Sequence, residues 1–213
     1  MLKIYGFTPK TLLAKAVTKM RHKTLYMVMR MITPSIHYNL KPTPRPMTRY
    51  LKTKYGDKPL IGVEIGTARG HNARNLFQNL NLTRLYCVDP YTPYVGARGV
   101  PHVEYVGTEG RARQVLSKYL GKTKFLKMTS EEAAPFIQEP VDFVYVDGCH
   151  SYPVVQKDLQ LYYPKVKPGG VFGGHDFTIH YWEVCKAVIE FAERENLTLQ
   201  GKLQCDWWVN KPW

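Results

Sequence analysis

The 213-residue chain is 44% hydrophobic and 22% charged, with 16 Gly and 15 Pro, a balance that suits one packed domain and excludes wholesale disorder, collagen and coiled coil. No apolar run approaches the ~18 residues of a membrane-spanning helix; Arg30 interrupts the best stretch, Leu25 to Ile32, and Lys10, Lys15 and Lys19 break up any apolar core of a secretory signal. The formal net charge of +13 is lopsided: residues 1–57 hold 12 Lys and Arg against the single acid Asp57, whereas residues 58–213 hold 18 against 16.

In chain order, Leu13, Val17, Met20, Met27 and Met31 recur at helical spacing among many lysines and arginines, predicting an amphipathic basic helix over residues 9–32 with a break near Thr24. Pro34, Pro42, Pro44 and Pro46 then impose an extended connector, and a short helix is expected over residues 46–55. From Leu60 the rhythm changes to strand, turn and helix. Predicted strands are Leu60 to Ile65, Arg84 to Val88, Phe125 to Met128, Val141 to Val146 and Val171 to Gly174. Predicted helices lie over residues 71–79, 108–119, from Thr129 toward Ile137, along the face of Val154, Val155, Leu159 and Tyr162, and over residues 181–194. Thr129 and Glu132 have the spacing of a capping box. Leu197 to Leu203 and Cys205 to Val209 are separated by too little chain for a crossover helix, so they should form an antiparallel hairpin at the sheet edge. The expected class is therefore α/β: a Rossmann-like, mostly parallel seven-stranded sheet with an antiparallel C-terminal hairpin. The expected domain is residues 58–213, preceded by a basic helical extension, residues 1–57.

Ligands of open parallel sheets bind outside the carboxyl ends of the strands, and this chain places its unusual polar residues there: Glu64 and Gly66, Asp89, Thr129, Asp147 and His150, then His175 and Asp176. The turn Val63-Glu-Ile-Gly-Thr-Ala-Arg-Gly70 permits close approach to its backbone, but Ala68 and His71 stand where a dinucleotide fingerprint wants glycine. An acid two residues before Gly66 suits a ligand with an ammonium group and no pyrophosphate. Asp89, 23 residues after Gly66, suits a carboxylate that receives both ribose hydroxyls. Cys87, Cys149, Cys185 and Cys205 lack the CxxC spacing of metal or redox sites, which points to a reducing, cytoplasmic setting.

With these residues in place, the chain resembles the class I S-adenosylmethionine-dependent methyltransferases over residues 58–213. The resemblance rests on residues 63–70, on Val88-Asp-Pro-Tyr91 and on Lys167-Pro-Gly-Gly170. Val146-Asp-Gly-Cys-His-Ser-Tyr152 with Asp158, Gly174-His-Asp-Phe177 and Asp206-Trp-Trp208 are similar to the subgroup of small-molecule and sugar O-methyltransferases. It implies that Glu64, Gly66, Thr67, Ala68 and Gly70 surround the methionine part of S-adenosylmethionine. Asp89 would hold the ribose and Met128, Thr129 and Ser130 would lie near the adenine, with Asp147 also bordering the cofactor. In metal-dependent relatives the positions of Asp147, His175 and Asp176 bind a divalent ion; two carboxylates suit magnesium, and the imidazole suits manganese better.

Methyl transfer to a hydroxyl needs alignment and a proton acceptor; His150 is the expected base, with Asp147 orienting it or binding the ion, whereas Asp158 reads as a helix-face or structural carboxylate. No Asn/Asp-Pro-Pro-Tyr/Phe follows the fourth strand, which favours oxygen over nitrogen as the acceptor atom. The expected partner is a small-molecule hydroxyl acceptor such as a sugar, a glycoconjugate or a phenol. The rival readings are a metal-dependent hydroxylase of the cephalosporin-hydroxylase type, a nucleic-acid methyltransferase and a non-catalytic binding protein of the same fold. Residues 1–57 read first as a lid or homo-oligomer contact. Their charge also suits an anionic membrane surface, where the chain would sit peripherally, or a nucleic acid.

Overall fold

The computed structural model describes residues 44–95, 101–102, 107–201 and 205–213. The basic helix expected at residues 9–32 lies outside the described residues, as does most of the proline connector.

Helix α1, Pro46–Tyr55, begins with proline at its first turn, where the missing amide costs nothing, and stops at Gly56 with φ 60°. Strand β1 (Leu60–Ile65) leads into α2 (His71–Asn79), and β2 (Leu82–Val88) follows. A small antiparallel ribbon of β3 (Tyr94–Val95) and β4 (Pro101–His102) precedes α3 (Thr108–Val115). Then come β5 (Thr123–Leu126), α4 (Ser130–Ala133), β6 (Val141–Val146), α5 (Tyr152–Tyr162), β7 (Val166–Phe177), α6 (Trp182–Arg194), β8 (Gln200–Gly201) and β9 (Cys205–Asn210). The seven-stranded sheet runs β5-β2-β1-β6-β7-β9-β8. The first five of these strands are parallel neighbours; β9 runs antiparallel to both β7 and β8.

The order reverses at β1, with β2 on one side and β6 on the other, which opens a crevice at the carboxyl ends of these three strands. Both faces of the sheet are covered, so the central strands are buried nearly throughout. Alternation divides them: Val63, Ile65, Val144 and Val146 pack with α5 and α6, while Phe143 and Tyr145 pack on the opposite side with Leu76 of α2 and with Met47 and Leu51 of α1. Met47 and Leu51 are fully buried, so α1, which the sequence assigns to the basic extension, is built into the core of the sheet domain.

Several boundaries differ from expectation for local reasons. The third parallel strand is Thr123–Leu126, because Met128 turns back so that its amide reaches the Leu126 carbonyl at 3.0 Å. Helix α3 gives way after Val115 to a 3-10 segment at Ser117–Lys122. The helix started by Thr129 lasts one turn before Pro135 converts it to 3-10 geometry, although the capping box itself is complete. Strand β7 begins at Val166 rather than Val171: Val166 pairs with Val141, and a register shift absorbs the Pro168-Gly169-Gly170 kink. Among the described residues the first hairpin strand is only Gln200–Gly201.

Candidate active site

A cavity of about 620 Å³ opens at the carboxyl ends of β1, β2 and β6, within the roughly 300–1,000 Å³ range of small-molecule sites. Ile65 and Gly66, Val88, Asp89 and Pro90, Thr129 and Ser130, and Asp147, Gly148 and Cys149 contribute to its wall, and α5 adds Pro153, Val154, Lys157 and Asp158. The start of α5 is fixed by α6: the Tyr152 amide donates to Glu183 at 2.6 Å and the Tyr152 hydroxyl to Glu190 at 2.5 Å.

Gly66 is held at φ 85°, and a Cβ there would lie 2.1 Å from the carbonyl oxygen of Asp147. Only glycine lets the β1 loop and the β6 loop meet backbone to backbone at the floor of the crevice. Asp89 shapes the same loop from β2, accepting the Ala68 amide at 2.8 Å and the Tyr91 amide at 2.7 Å, one on each carboxylate oxygen. Ala68 and Tyr91 both adopt positive φ, 46° and 54°, and these two hydrogen bonds help hold them there. Burial pushes the Asp89 carboxyl up, against the lowering effect of the two amides. Each oxygen keeps a further acceptor position for a ligand hydroxyl.

Five of the sequence-predicted cofactor residues therefore line the cavity: Gly66, Asp89, Thr129, Ser130 and Asp147. The others do not line it. Glu64 is fully buried behind the β1 turn, where Asn72 donates to it at 2.9 Å, and burial drives its carboxyl up to about 7. Thr67 is buried, Ala68 acts through its amide, and Gly70 caps α2 with its α-carbon against α3. Met128 packs on the hydrophobic core.

Beside the cavity lies a compact charged cluster. His150, between the lining residues Cys149 and Ser151, places Nε2 2.8 Å from Asp176 Oδ2, and its ring lies 4.1 Å from that of Tyr181. Asp147 is expected from the sequence either to orient His150 or to bind an ion; in the structure Asp176 takes the orienting place. Asp176, at φ 60°, also faces His175 Nδ1 at 3.3 Å. Burial alone would raise the Asp176 carboxyl, but the two imidazoles of His150 and His175 beside it outweigh that and hold the acid well below the usual carboxylate range. Asp147, His175 and Asp176 each offer a ligand atom within 4.8 Å of the others, so the three residues proposed for a metal do come together.

Arg45 is a site residue that no motif or spacing points to. Its guanidinium lies 2.7 Å from Asp147 Oδ2 and 2.9 Å from the Tyr145 hydroxyl, which donates in turn to Asp206 at 2.8 Å. Asp206 also accepts the Met47 amide at 2.8 Å, which ties the start of α1 to β9. Burial by itself would lower the Arg45 pKa; Asp147 and Tyr145 reverse that and keep the group charged. An arginine among prolines, some hundred residues from its partners, carries no spacing signal.

A family model described as a methyltransferase domain matches residues 63–177. An uncharacterized protein of Acanthamoeba polyphaga mimivirus is 26% identical over 131 residues, covering 58% of this chain and 54% of its own length, so the matched part spans about half of that relative. Among solved structures, the O-methyltransferase TomG of Streptomyces achromogenes, in complex with SAM, aligns with a TM-score of 0.59 at 13% identity, over 98% of this chain and 93% of its own. The O-methyltransferase NovP aligns with a TM-score of 0.59 at 18% identity, over 78% of this chain and 80% of its own. An rRNA methylase of Streptococcus thermophilus aligns with a TM-score of 0.56 at 13% identity, over 78% and 95%. These structural likenesses establish a shared methyltransferase fold.

Proposed function

The chain belongs to the methyltransferase-domain family, and from that premise we propose that it transfers the methyl group of S-adenosylmethionine to a hydroxyl oxygen of a small molecule. The observation that carries the choice of oxygen is the His150–Asp176 pair at 2.8 Å, beside the cavity, in which His150 stands between the lining residues Cys149 and Ser151. With Nε2–H donated to Asp176, Nδ1 is left as the basic nitrogen. That is the arrangement a general base for a hydroxyl proton needs.

The residues fit the cofactor. Asp89 presents two oriented carboxylate oxygens at the cavity wall, the chemistry that receives a ribose diol, and Gly66 lines the same cavity. S-adenosylmethionine supplies a methyl group on a positively charged sulfur, which makes the leaving group neutral. The chain's own contribution is to align the acceptor oxygen with that methyl carbon, exclude water and take the proton at His150, while Asp176 stabilises the resulting imidazolium. With the cofactor bound, a C–O bond would replace the C–S bond and His150 would hold the proton lost by the acceptor.

Asp147, His175 and Asp176 also fit a divalent ion in number and donor type. Such an ion would lower the pKa of a coordinated acceptor hydroxyl. The Arg45 guanidinium already neutralises Asp147, and a metal would have to share or displace it.

Calorimetric titration of the full chain with S-adenosylmethionine tests the cofactor. Saturable binding is expected, and no heat at millimolar ligand would refute the reading. Incubation with a panel of sugars and phenols should then yield products heavier by one methylene and labile to ether-cleaving reagents. Methyl incorporated only into RNA would instead favour a polyanionic acceptor, the reading that the basic balance of residues 1–57 supports.

A further inference from the structure

Four large hydrophobic side chains stand exposed among the described residues: Leu120 (47%), Phe136 (63%), Val154 and Trp213. Val154 lines the cavity. The other three lie at the opposite end of the sheet, among the segments that lead into the parallel strands. Leu120 belongs to the 3-10 segment that runs directly into β5. Phe136 closes the 3-10 turn before β6, and the carbonyl of the next residue, Ile137, accepts from the ammonium of Lys165, one residue before β7, at 3.0 Å. A Cβ on Gly169, early in β7, would lie 2.6 Å from the Trp213 indole, and Lys211 beside it donates to the Val166 carbonyl at 2.7 Å. Charge gathers at the same end. Lys58, just before β1, and Lys118 and Lys122, around Leu120, are exposed and pair with no acid among the described residues. The acids Asp57, Glu139 and Asp142 are already taken by Lys52, Arg84 and Lys167, and Glu195 by Arg194. Against the three unpaired lysines only Glu193, at the end of α6, stands without an ion-pair partner among the described residues here.

We infer that this end of the molecule docks on the anionic face of a lipid bilayer, with Leu120, Phe136 and Trp213 seated among the headgroups and Lys58, Lys118 and Lys122 against their negative charge. The spacing favours a flat partner. Leu120 adjoins β5 and Trp213 adjoins β7, four strand positions away in the sheet, or roughly 19 Å. No single pocket or small ligand joins side chains so far apart, whereas a planar surface meets all of them. A nucleic acid would satisfy the lysines and leave Leu120 in water. A second copy across a two-fold axis would bring these lysines toward their own counterparts. The surface is made of described residues alone and needs nothing from residues 1–57. Because the cavity opens at the carboxyl ends of the strands, the docked molecule holds its mouth toward water, which suits a soluble acceptor rather than a lipid.

Flotation of the full chain with phosphatidylcholine vesicles, with and without ~30% phosphatidylserine, tests the surface. The wild-type protein should partition at least ~10-fold more strongly onto the anionic vesicles, and added salt should weaken it. Lys118→Glu combined with Lys122→Glu, and Leu120→Ser combined with Phe136→Ser, should each lower that partition by at least ~10-fold. Both double variants should keep the wild-type affinity for S-adenosylhomocysteine, since none of these residues lines the cavity. On the wild-type protein, brominated acyl chains should quench the emission of Trp213, a readout that stands even if a variant does not fold. Wild-type protein that floats with neither vesicle, folded variants that float as well as it does, or unquenched Trp213 would overturn the inference. So would a lipid-free dimer that Leu120→Ser with Phe136→Ser splits, or RNA retention lost in the lysine variant while flotation persists.

Discussion

Replacing Arg45 by methionine keeps most of the aliphatic packing and removes the charge. Asp147 then loses its partner at 2.7 Å while its side chain is only 18% exposed, and the Tyr145 hydroxyl loses a donor at 2.9 Å. Breaking a fully buried pair costs about 3–5 kcal/mol, and an exposed pair contributes about 0–1 kcal/mol. With both side chains near one-fifth exposed, the expected loss is about 2–3 kcal/mol, or roughly 5–10 °C in Tm for a chain of this length. Thermal unfolding of Arg45→Met, Asp147→Asn and the double variant isolates the pair. The double variant should be more stable than the two single losses predict, by about 2 kcal/mol of coupling. Additivity within about 0.5 kcal/mol would refute the claim that the guanidinium is there to neutralise Asp147. The same substitution should strengthen manganese binding at Asp147, His175 and Asp176, read by electron paramagnetic resonance, because the competing cation is gone.

His150→Gln should lower kcat by about 100- to 1,000-fold, as expected for loss of a general base, while the Kd for S-adenosylhomocysteine moves less than ~3-fold; an equal loss in both would make His150 a binding residue. Gly66→Ala forces a side chain into φ 85° and onto the Asp147 carbonyl, and should cost at least about 3 kcal/mol, seen as insoluble expression or a Tm fall above ~8 °C. Glu64 predicts a pH trend of definite sign. Its carboxyl is raised from 4.5 to about 7 in the folded chain, so the unfolded chain releases the proton first and stability is lost as pH rises from 4.5 through 7. Glu64→Gln should therefore gain on the wild-type protein across that window, by up to roughly 3 kcal/mol, and the gain should be flat above it; a gap independent of pH in denaturation curves would contradict the burial argument.

The strand ends were legible because parallel strands buried on both faces must be apolar runs, and each such run here stops at an acid or a glycine: Ile65-Gly66, Val88-Asp89 and Val146-Asp147. The meeting of Asp147, His175 and Asp176 follows from β6 and β7 being neighbours in register, with Val146 opposite Gly174. Other features depend on contacts that spacing does not encode. Lys167-Pro168-Gly169-Gly170 has turn chemistry, yet β7 carries it inside the strand because Val166 finds Val141 across the sheet. Asp158 sits on a helix face beside Leu159, and nothing in its neighbourhood in sequence separates a buried acid facing a cavity from a solvated one. Arg45 and Asp206 reach the site only because α1 and β9 pack beside β6 and β7, a tertiary fact.

The bond from the Met47 amide to Asp206 spans 159 positions, and this has a kinetic consequence. During synthesis α1 leaves the ribosome early, with Met47 and Leu51 ready to be buried, but the strand that anchors it is made more than 150 residues later. Until then that apolar stripe stays open to chaperones or to other nascent chains. Yield in a host should respond to holdase supply and growth temperature more strongly than the stability of the finished molecule would suggest.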